Sequence, residues 1–471
     1  MGRAATRPRR AFKRNKPAPK QIRTFRSAVN YLNSLTNFER VIGPQYASGK
    51  FGLSRITRIL SALGNPHREQ KSVHIAGTKG KGSTAAMLSA MVHACGHKVG
   101  TYSSPHVLDI RERIQIDGEM ISELEFARAV AAVSAVTAKA RVSDPTYFEV
   151  LTAAAFKYFR DQGVDIAVIE TGLGGRLDAT NVIVPEAIGI TSISFDHVHQ
   201  LGRSLEEIAG EKAGIIKEGV PVICAPQRDG VKKVLCDACA EAGTTLRFCN
   251  EGVDFSYRFE FSRAAGKHAR ICLTTATSKF EHVRVPMMGE HQAVNCSLAL
   301  GLLDVLKSRG VEIDDQVAVS GLHDVALPAR MQMISEEPRI LVDGAHNAAS
   351  VDALMRAVGQ NITYDSMVVI FACQKDKDIE GMIRRIQVGA DKVIFTTSGS
   401  PRSAEPAELA AQYIENSGKM AQVAKTLDDA MQIALGAISR EDVICITGSF
   451  YLAADAIRSY SSAVAEKIEA E

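Results

Sequence analysis

His74-Ile75-Ala76-Gly77-Thr78-Lys79-Gly80-Lys81-Gly82-Ser83-Thr84 is the stretch that decides the fold. Apolar residues lead in from Val73. A glycine-rich turn carrying Lys81 follows, and then a helix-forming run, Ala85-Ala86-Met87-Leu88-Ser89-Ala90. A strand, a glycine loop and a helix N-terminus in that order hold polyphosphates. Backbone N–H groups line the loop, the helix end adds positive potential, and a lysine offers a mobile charge. The loop departs from the common P-loop pattern, because Ile75 stands where the first glycine belongs and the hydroxyl comes one residue late, at Ser83. The competing reading, a tight strand-to-helix turn with a surface lysine, does not account for three glycines, a lysine and two hydroxyls gathered at one helix start.

Outward from the loop, short apolar runs alternate with helical patterns. The spacing predicts strands over 73–76, 99–102, 166–169, 187–193 and 220–224, and helices over 81–95, 122–138, 148–161, 205–217 and 229–242. Such alternation implies an α/β fold with a parallel sheet covered on both faces. Residues 253–287 change character and alternate apolar with polar side chains, as a small antiparallel insertion does. A helix follows over 292–306. After Pro338 the alternation restarts, with strands over 339–342, 367–371, 392–396 and 443–446 and helices over 348–359, 379–388, 407–415, 427–437 and 453–463. This second, smaller Rossmann-like unit puts a boundary near 325–330. The expected division is a tail over 1–26, an ATP-binding unit over 27–326 and a C-terminal unit over 327–471.

The chain has 471 residues, 56 Lys and Arg against 53 Asp and Glu, and 46% apolar residues. Its net charge of +3 is uneven. Residues 1–26 hold ten basic and no acidic residues, which leaves 46 basic against 53 acidic residues in the remainder. Three prolines and few apolar residues make the tail an expected disordered extension, with at most a weak nucleic-acid contact. No apolar run is long enough to span a bilayer and no secretory h-region follows the start, so a cytoplasmic protein is expected. Nine cysteines, mostly in apolar settings, read as core residues of a reducing compartment. Cys236 and Cys239 form a C-x-x-C without a second ligand pair.

Further segments join the loop: Ser103-Ser104-Pro105-His106, Glu170-Thr171-Gly172-Leu173-Gly174-Gly175-Arg176-Leu177-Asp178-Ala179-Thr180-Asn181, Asp196-His197, Glu211-Lys212-Ala213-Gly214, Gly289-Glu290-His291-Gln292-Ala293-Val294-Asn295, Arg330, Asp343-Gly344-Ala345-His346-Asn347 and Lys375-Asp376-Lys377-Asp378. In this order the set closely resembles the folylpolyglutamate synthase/dihydrofolate synthase branch of the Mur ligases, over about residues 28–460. The resemblance implies a Mur-ligase-like fold and ATP-dependent ligation of L-glutamate to a folate or dihydropteroate through an acyl phosphate, by a monomer. It leaves open whether both folate activities are present.

The site follows residue by residue. Lys81 suits the β/γ-phosphates, and Gly77, Thr78, Gly80, Gly82, Ser83 and Thr84 supply backbone donors and hydroxyls. The resemblance implies two Mg²⁺ ions held by Ser104, Glu170, His197 and Lys212. Lys212 is carbamylated in relatives; on residue pattern alone it reads as a solvated helix lysine. Asn295 and Arg330 match ATP contacts, and Asp343 and His346 match positions where the C-terminal unit meets ATP and glutamate. Phe148, Glu149, Arg111 and Arg113 either line the pterin or acidic-substrate side or serve packing and surface charge. Two departures stand out: Lys79 replaces a usual Asn, and Ala329 a usual Gly. The competing readings are a sister Mur ligase using a UDP-sugar, for which about 70 residues before the loop leave no substrate domain, and a nucleotide-gated nucleic-acid-binding protein.

Overall fold

The computed structural model describes residues 22–38, 52–249, 254–262, 266–275, 277–323 and 325–469. Three sheets organise it. The first holds β1 (Lys71–Ala76), β2 (Val99–Tyr102), β3 (Ile114–Ile116), β4 (Glu119–Met120), β5 (Ile166–Glu170), β6 (Ala187–Ile190), β7 (Val222–Cys224) and β8 (Leu246–Phe248), in the order β4-β3-β2-β5-β1-β6-β7-β8. From β2 to β8 the neighbours run parallel, and β3 and β4 turn back antiparallel at the edge. β5 is buried along its whole length, as an apolar run between two covering layers must be.

Helix Lys81–Ala94 packs on one face together with helix Glu290–Ser308. An antiparallel sheet of β9 (Asp254–Ser262), β10 (Gly266–Thr274) and β11 (Lys279–Arg284) joins this core through Ile271, Leu273, Phe280 and Val283. The opposite face is covered by helices Glu123–Lys139 and Tyr147–Asp161, with the short helices Phe25–Asn33 and Ser54–Ala62 outside them. The third sheet has β12 (Gln332–Glu336), β13 (Arg339–Val342), β14 (Met367–Phe371), β15 (Lys392–Phe395), β16 (Gln422–Val423) and β17 (Val443–Thr447), ordered β12-β13-β17-β14-β15-β16. All its pairs are parallel except β12–β13, and apolar cores lie on both faces.

The α/β architecture follows the reading of the sequence, and the differences have local causes. The first strand pair after the loop carries an unforeseen hairpin, β3–β4, reversed at Asp117-Gly118, both with positive φ. The expected strand over 187–193 stops at Ile190, because Ser192 turns its carbonyl toward the glycine loop. Helix Leu205–Ala213 ends at Gly214 rather than at 217; a Cβ there would lie 2.3 Å from the Cβ of Arg176. The basic tail ends earlier than residue 26: Ile22 is buried, and Thr24 caps the helix that begins at Phe25 through a reciprocal hydrogen-bonded box with Ser27. The rest of that segment, residues 1–21, lies outside the described residues. No described helix is long and apolar enough to cross a membrane, and all nine cysteines are free thiols.

Candidate active site

The glycine loop sits at the carboxyl end of β1, where open parallel sheets bind ligands. Gly77 and Gly80 take φ of +145° and +86°. A Cβ at Gly77 would lie 1.8 Å from Thr191 Oγ1, and one at Gly80 would lie 2.1 Å from Asn295 Oδ1. Both positions therefore need glycine on two counts. Gly80 caps helix Lys81–Ala94 without any side-chain acceptor, which leaves first-turn N–H groups of the kind that bind anions.

The loop's hydroxyls divide. Thr78 Oγ1 donates to Ser194 O at 3.0 Å and accepts from Ser194 N at 3.1 Å, and the Thr78 and Lys79 N–H groups donate to Ser192 O. Thr78 thus moors the loop to the segment after β6. Thr84 is buried and donates to Asn295 O at 3.4 Å, so it ties the helix to its neighbour instead of facing the loop mouth. Lys79 is held down to about 8, by burial first, against the pull of Asp196 and Asp352.

Glu170, the last residue of β5, is buried beside the loop. Its carboxylate lies 3.7 Å from Lys81 Nζ and accepts from Ser104 N at 3.1 Å. Burial raises its pKa, and Lys81, Ser104 and Arg330 work against that shift. Lys212 is also buried; its Nζ donates to Gly77 O at 2.7 Å. Burial, then the charge of Lys81, brings its pKa from 10.5 to about 7. It is not a solvated helix lysine.

The Glu170–Asn181 stretch explains how Lys212 gets there. Asp178 accepts from the N–H groups of Gly172, Leu173 and Thr180 and from the Thr180 hydroxyl, which also meets His74 Nε2 at 2.8 Å. Around this buried carboxylate the loop closes on itself. A Cβ at Gly175 would lie 2.8 Å from the carbonyls of Glu211 and Lys212, so the bare backbone lets the lysine helix dock. Asn181 Nδ2 donates to Gly214 O at 3.0 Å and fixes the helix end.

From the third sheet come Arg330, Asp343 and His346. Arg330 lies between two non-glycine residues of positive φ, Ala329 and Met331, with its guanidinium 4.5 Å from the centre of the Phe450 ring. Burial lowers its pKa, while Asp343 and Glu170 hold the charge in place. Both Asp343 oxygens are committed, to Met331 N at 2.9 Å and Ala345 N at 2.8 Å. His346 Nδ1 lies 2.9 Å from Gly344 O. A carbonyl only accepts, so Nδ1 carries the proton and Nε2 faces Asp196 Oδ2 at 3.6 Å. His197, at φ +48° in the segment after β6, borders the same cleft.

A cavity of about 530 Å³ opens between the sheets. Ser104, Arg113 and Phe148 line it on one side, and His346, Lys377 and Phe450 on the other. Phe148 packs on Gly172, where a Cβ would sit 2.5 Å from its ring, and its ring lies 5.8 Å from that of Tyr102. Glu149 closes a capping box with Thr146 and pairs with Arg55 at 3.0 Å. Arg111 is absent from this wall; it pairs with Asp109 at 2.8 Å and covers Phe25.

Asp196 and Lys377 stand in motifs that the sequence singled out, yet nothing in the sequence gave either a role. Their Oδ1–Nζ distance is 2.7 Å. Lys377 foremost, with His197 and His346, outweighs burial and holds Asp196 well below the usual carboxylate range. A Lys-Asp-Lys-Asp run signals a loop but not which lysine turns inward. Among the described residues no group of three or more His, Cys, Asp or Glu side chains is arranged to hold a metal ion by itself. Of the residues that the resemblance implies as metal ligands, Glu170 is a buried carboxylate at the loop. That donor fits an oxygen-seeking cation whose other ligands are phosphate and water.

Comparison with known proteins follows the same division. Residues 75–303 match the Mur ligase middle domain, and residues 329–450 match the Mur ligase glutamate ligase domain. The chain is 34% identical over 413 residues to a dihydrofolate synthase/folylpolyglutamate synthase of Bacillus subtilis, covering 86% of this chain and 94% of that protein. A folylpolyglutamate synthase from Mycobacterium tuberculosis, solved with ADP, superposes with a TM-score of 0.84 at 30% identity, covering 93% of this chain and 98% of that one. An Escherichia coli relative solved with ADP and DHPP gives 0.81 at 27% identity, covering 95% of this chain and 99% of that one.

Proposed function

Because the chain belongs to the dihydrofolate synthase/folylpolyglutamate synthase family of Mur ligases, we propose a division of labour among its residues for the reaction that family performs. The protein is an ATP-dependent ligase that joins L-glutamate to a folate-type carboxylate. A carboxylate is a poor electrophile. Its oxygen attacks the γ-phosphorus of ATP, ADP leaves, and the resulting acyl phosphate is open to a neutral amine. The amine nitrogen attacks the carbonyl carbon, and phosphate departs from the tetrahedral intermediate.

In this reading, the uncapped N-terminus of helix Lys81–Ala94 and the Lys81 ammonium neutralise the transferring phosphoryl group. Asn295, seated on Gly80, and Arg330 hold the nucleotide. Asp343 orients Arg330, and the two-sided commitment of its oxygens supports that role. Glu170 would hold Mg²⁺ at the phosphates, with Ser104 and His197 bordering that region. The ion would supply charge neutralisation. Lys212, buried and with its pKa lowered to about 7, is poised as a neutral amine able to add CO₂ and become a carbamate. The folate lies in the 530 Å³ cavity against Phe148 and Arg113, and His346 with Lys377 receives the glutamate. The unit boundary falls near 327, just before Ala329 enters the core of the third sheet.

The observation that carries this reading is the short chain of contacts from cavity to loop. Ser104, on the cavity wall, donates to Glu170, and Glu170 faces Lys81. A carboxylate bound in the cavity is thereby delivered to the phosphate site. The test is ADP release with dihydropteroate, tetrahydrofolate or UDP-MurNAc-peptide, each with and without glutamate. Glutamate-dependent release with a pteridine substrate is expected. Release only with the UDP-sugar would overturn the substrate assignment.

A further inference from the structure

One carboxylate ties the two halves of the cleft together. Asp196 leaves the carboxyl end of β6 in the first sheet. Lys377 Nζ, from the loop after β14, donates to its Oδ1 at 2.7 Å. Asn347 Nδ2, from the loop after β13, donates to its Oδ2 at 3.3 Å, and His346 Nε2 lies 3.6 Å from the same oxygen. The N–H of His197 holds Oδ1 from behind at 2.9 Å. The Asp196 and Lys377 side chains are only 9% and 10% exposed, so the pair is shielded from solvent, where such contacts are strongest. At the other end of the cavity Arg458 Nη2 donates to Leu108 O at 2.9 Å, but there the acceptor is neutral.

We propose that Asp196 is a positioning residue that draws the two C-terminal loops bearing His346, Asn347 and Lys377 over the phosphate loop, so that the amine-donor site is assembled only when the two units close. Lys377 is a flexible lysine on a loop. Without a fixed anion it has many rotamers, and the ordering falls on the incoming substrate. Asp196 does that ordering in advance and sets the angle at which the C-terminal unit meets the nucleotide. This rests on the assignment of His346 and Lys377 to the glutamate side.

The test uses the full chain with Asp196→Asn, which keeps the shape, and Asp196→Ala, which removes the acceptor. The KM for glutamate should rise about tenfold or more in both, while the KM values for ATP and folate stay within about twofold. Lys377→Met combined with Asp196→Asn should raise it less than the product of the single effects. Small-angle scattering with AMPPCP and dihydropteroate should show contraction of the wild type and none of Asp196→Ala. An unchanged glutamate KM with normal contraction overturns the proposal. So does a parallel loss in all three KM values with a lowered melting temperature, which marks a structural residue only. If the wild type shows no glutamate-dependent turnover, the functional assignment fails, and the scattering comparison still judges the clasp.

Discussion

Replacing Lys212 by methionine should make the protein more stable at neutral pH and catalytically dead. The lysine is 4% exposed and its pKa lies near 7 instead of 10.5, through burial first and the charge of Lys81 second. At or below pH 7 the folded state must keep a buried ammonium, at a cost of about 5 kcal/mol relative to the unfolded chain. Between pH 7 and 10.5 the folded protein holds the neutral amine while the unfolded chain is still protonated. The unfolded state binds more protons there, so stability rises with pH through that window and the penalty vanishes above it. Methionine fills a similar volume without the charge but leaves Gly77 O without its 2.7 Å donor, a loss of about 1–3 kcal/mol. The net gain is about 2 kcal/mol at pH 7, or roughly 2 °C in melting temperature for a chain of this size. Thermal melts of both proteins in bicarbonate-free buffer from pH 7 to 10 provide the assay. The gap should close as pH rises and reverse toward pH 10, where the lost hydrogen bond to Gly77 O is what separates the two. A variant that melts below the wild type at pH 7, or a gap that does not narrow, would refute the argument that Lys212 is held neutral by its surroundings.

Lys81→Ala should lower kcat by about a hundredfold or more, near 3 kcal/mol of transition-state stabilisation, with the fold retained; near-normal turnover removes Lys81 from the phosphates. Glu170→Gln keeps the shape and loses the anionic oxygen, so the Mg²⁺ concentration for half-maximal rate should rise. An unchanged magnesium titration would take Glu170 out of ion binding. Gly80→Ala forces an L-residue into φ +86° and a Cβ 2.1 Å from Asn295 Oδ1, so ATP affinity should fall with a stability loss of about 1–2 kcal/mol. Nucleotide titration decides it, and an unaltered affinity would mean that the loop reshapes freely.

Local pattern carried most of the fold. β2, β13 and β14 have the bounds expected of them, because buried apolar runs in a parallel sheet announce themselves. The β3–β4 hairpin also had a local sign, Asp117-Gly118, hidden by the shortness of its strands. The helix at Phe25 was masked by the basic residues before it. Site geometry was less legible. Glu170 and Lys81 follow from strand ends and loop type, whereas Asp196 acquires its role from residues 151 and 181 positions away. Nothing in its neighbourhood encodes those partners. Likewise Thr78 and Thr84 look like phosphate hydroxyls in a line of text, and only packing shows them turned to Ser194 and Asn295.

The loop closed around Asp178 serves two neighbours at once. The most recognisable words in this chain, Glu170 through Asn181, are for the most part architecture: a carboxylate saturated by its own backbone and a glycine that admits a helix. A substitution at Gly175 or Asn181 would act first on whether the lysine helix seats at all. The same loop also shapes the cavity wall: Phe148 packs on Gly172, where a Cβ would lie 2.5 Å from its ring, and Leu173, Leu177 and Ala179 line the cavity themselves. One twelve-residue stretch therefore seats the lysine helix on one side and supports the substrate wall on the other, so a change within it would disturb both together.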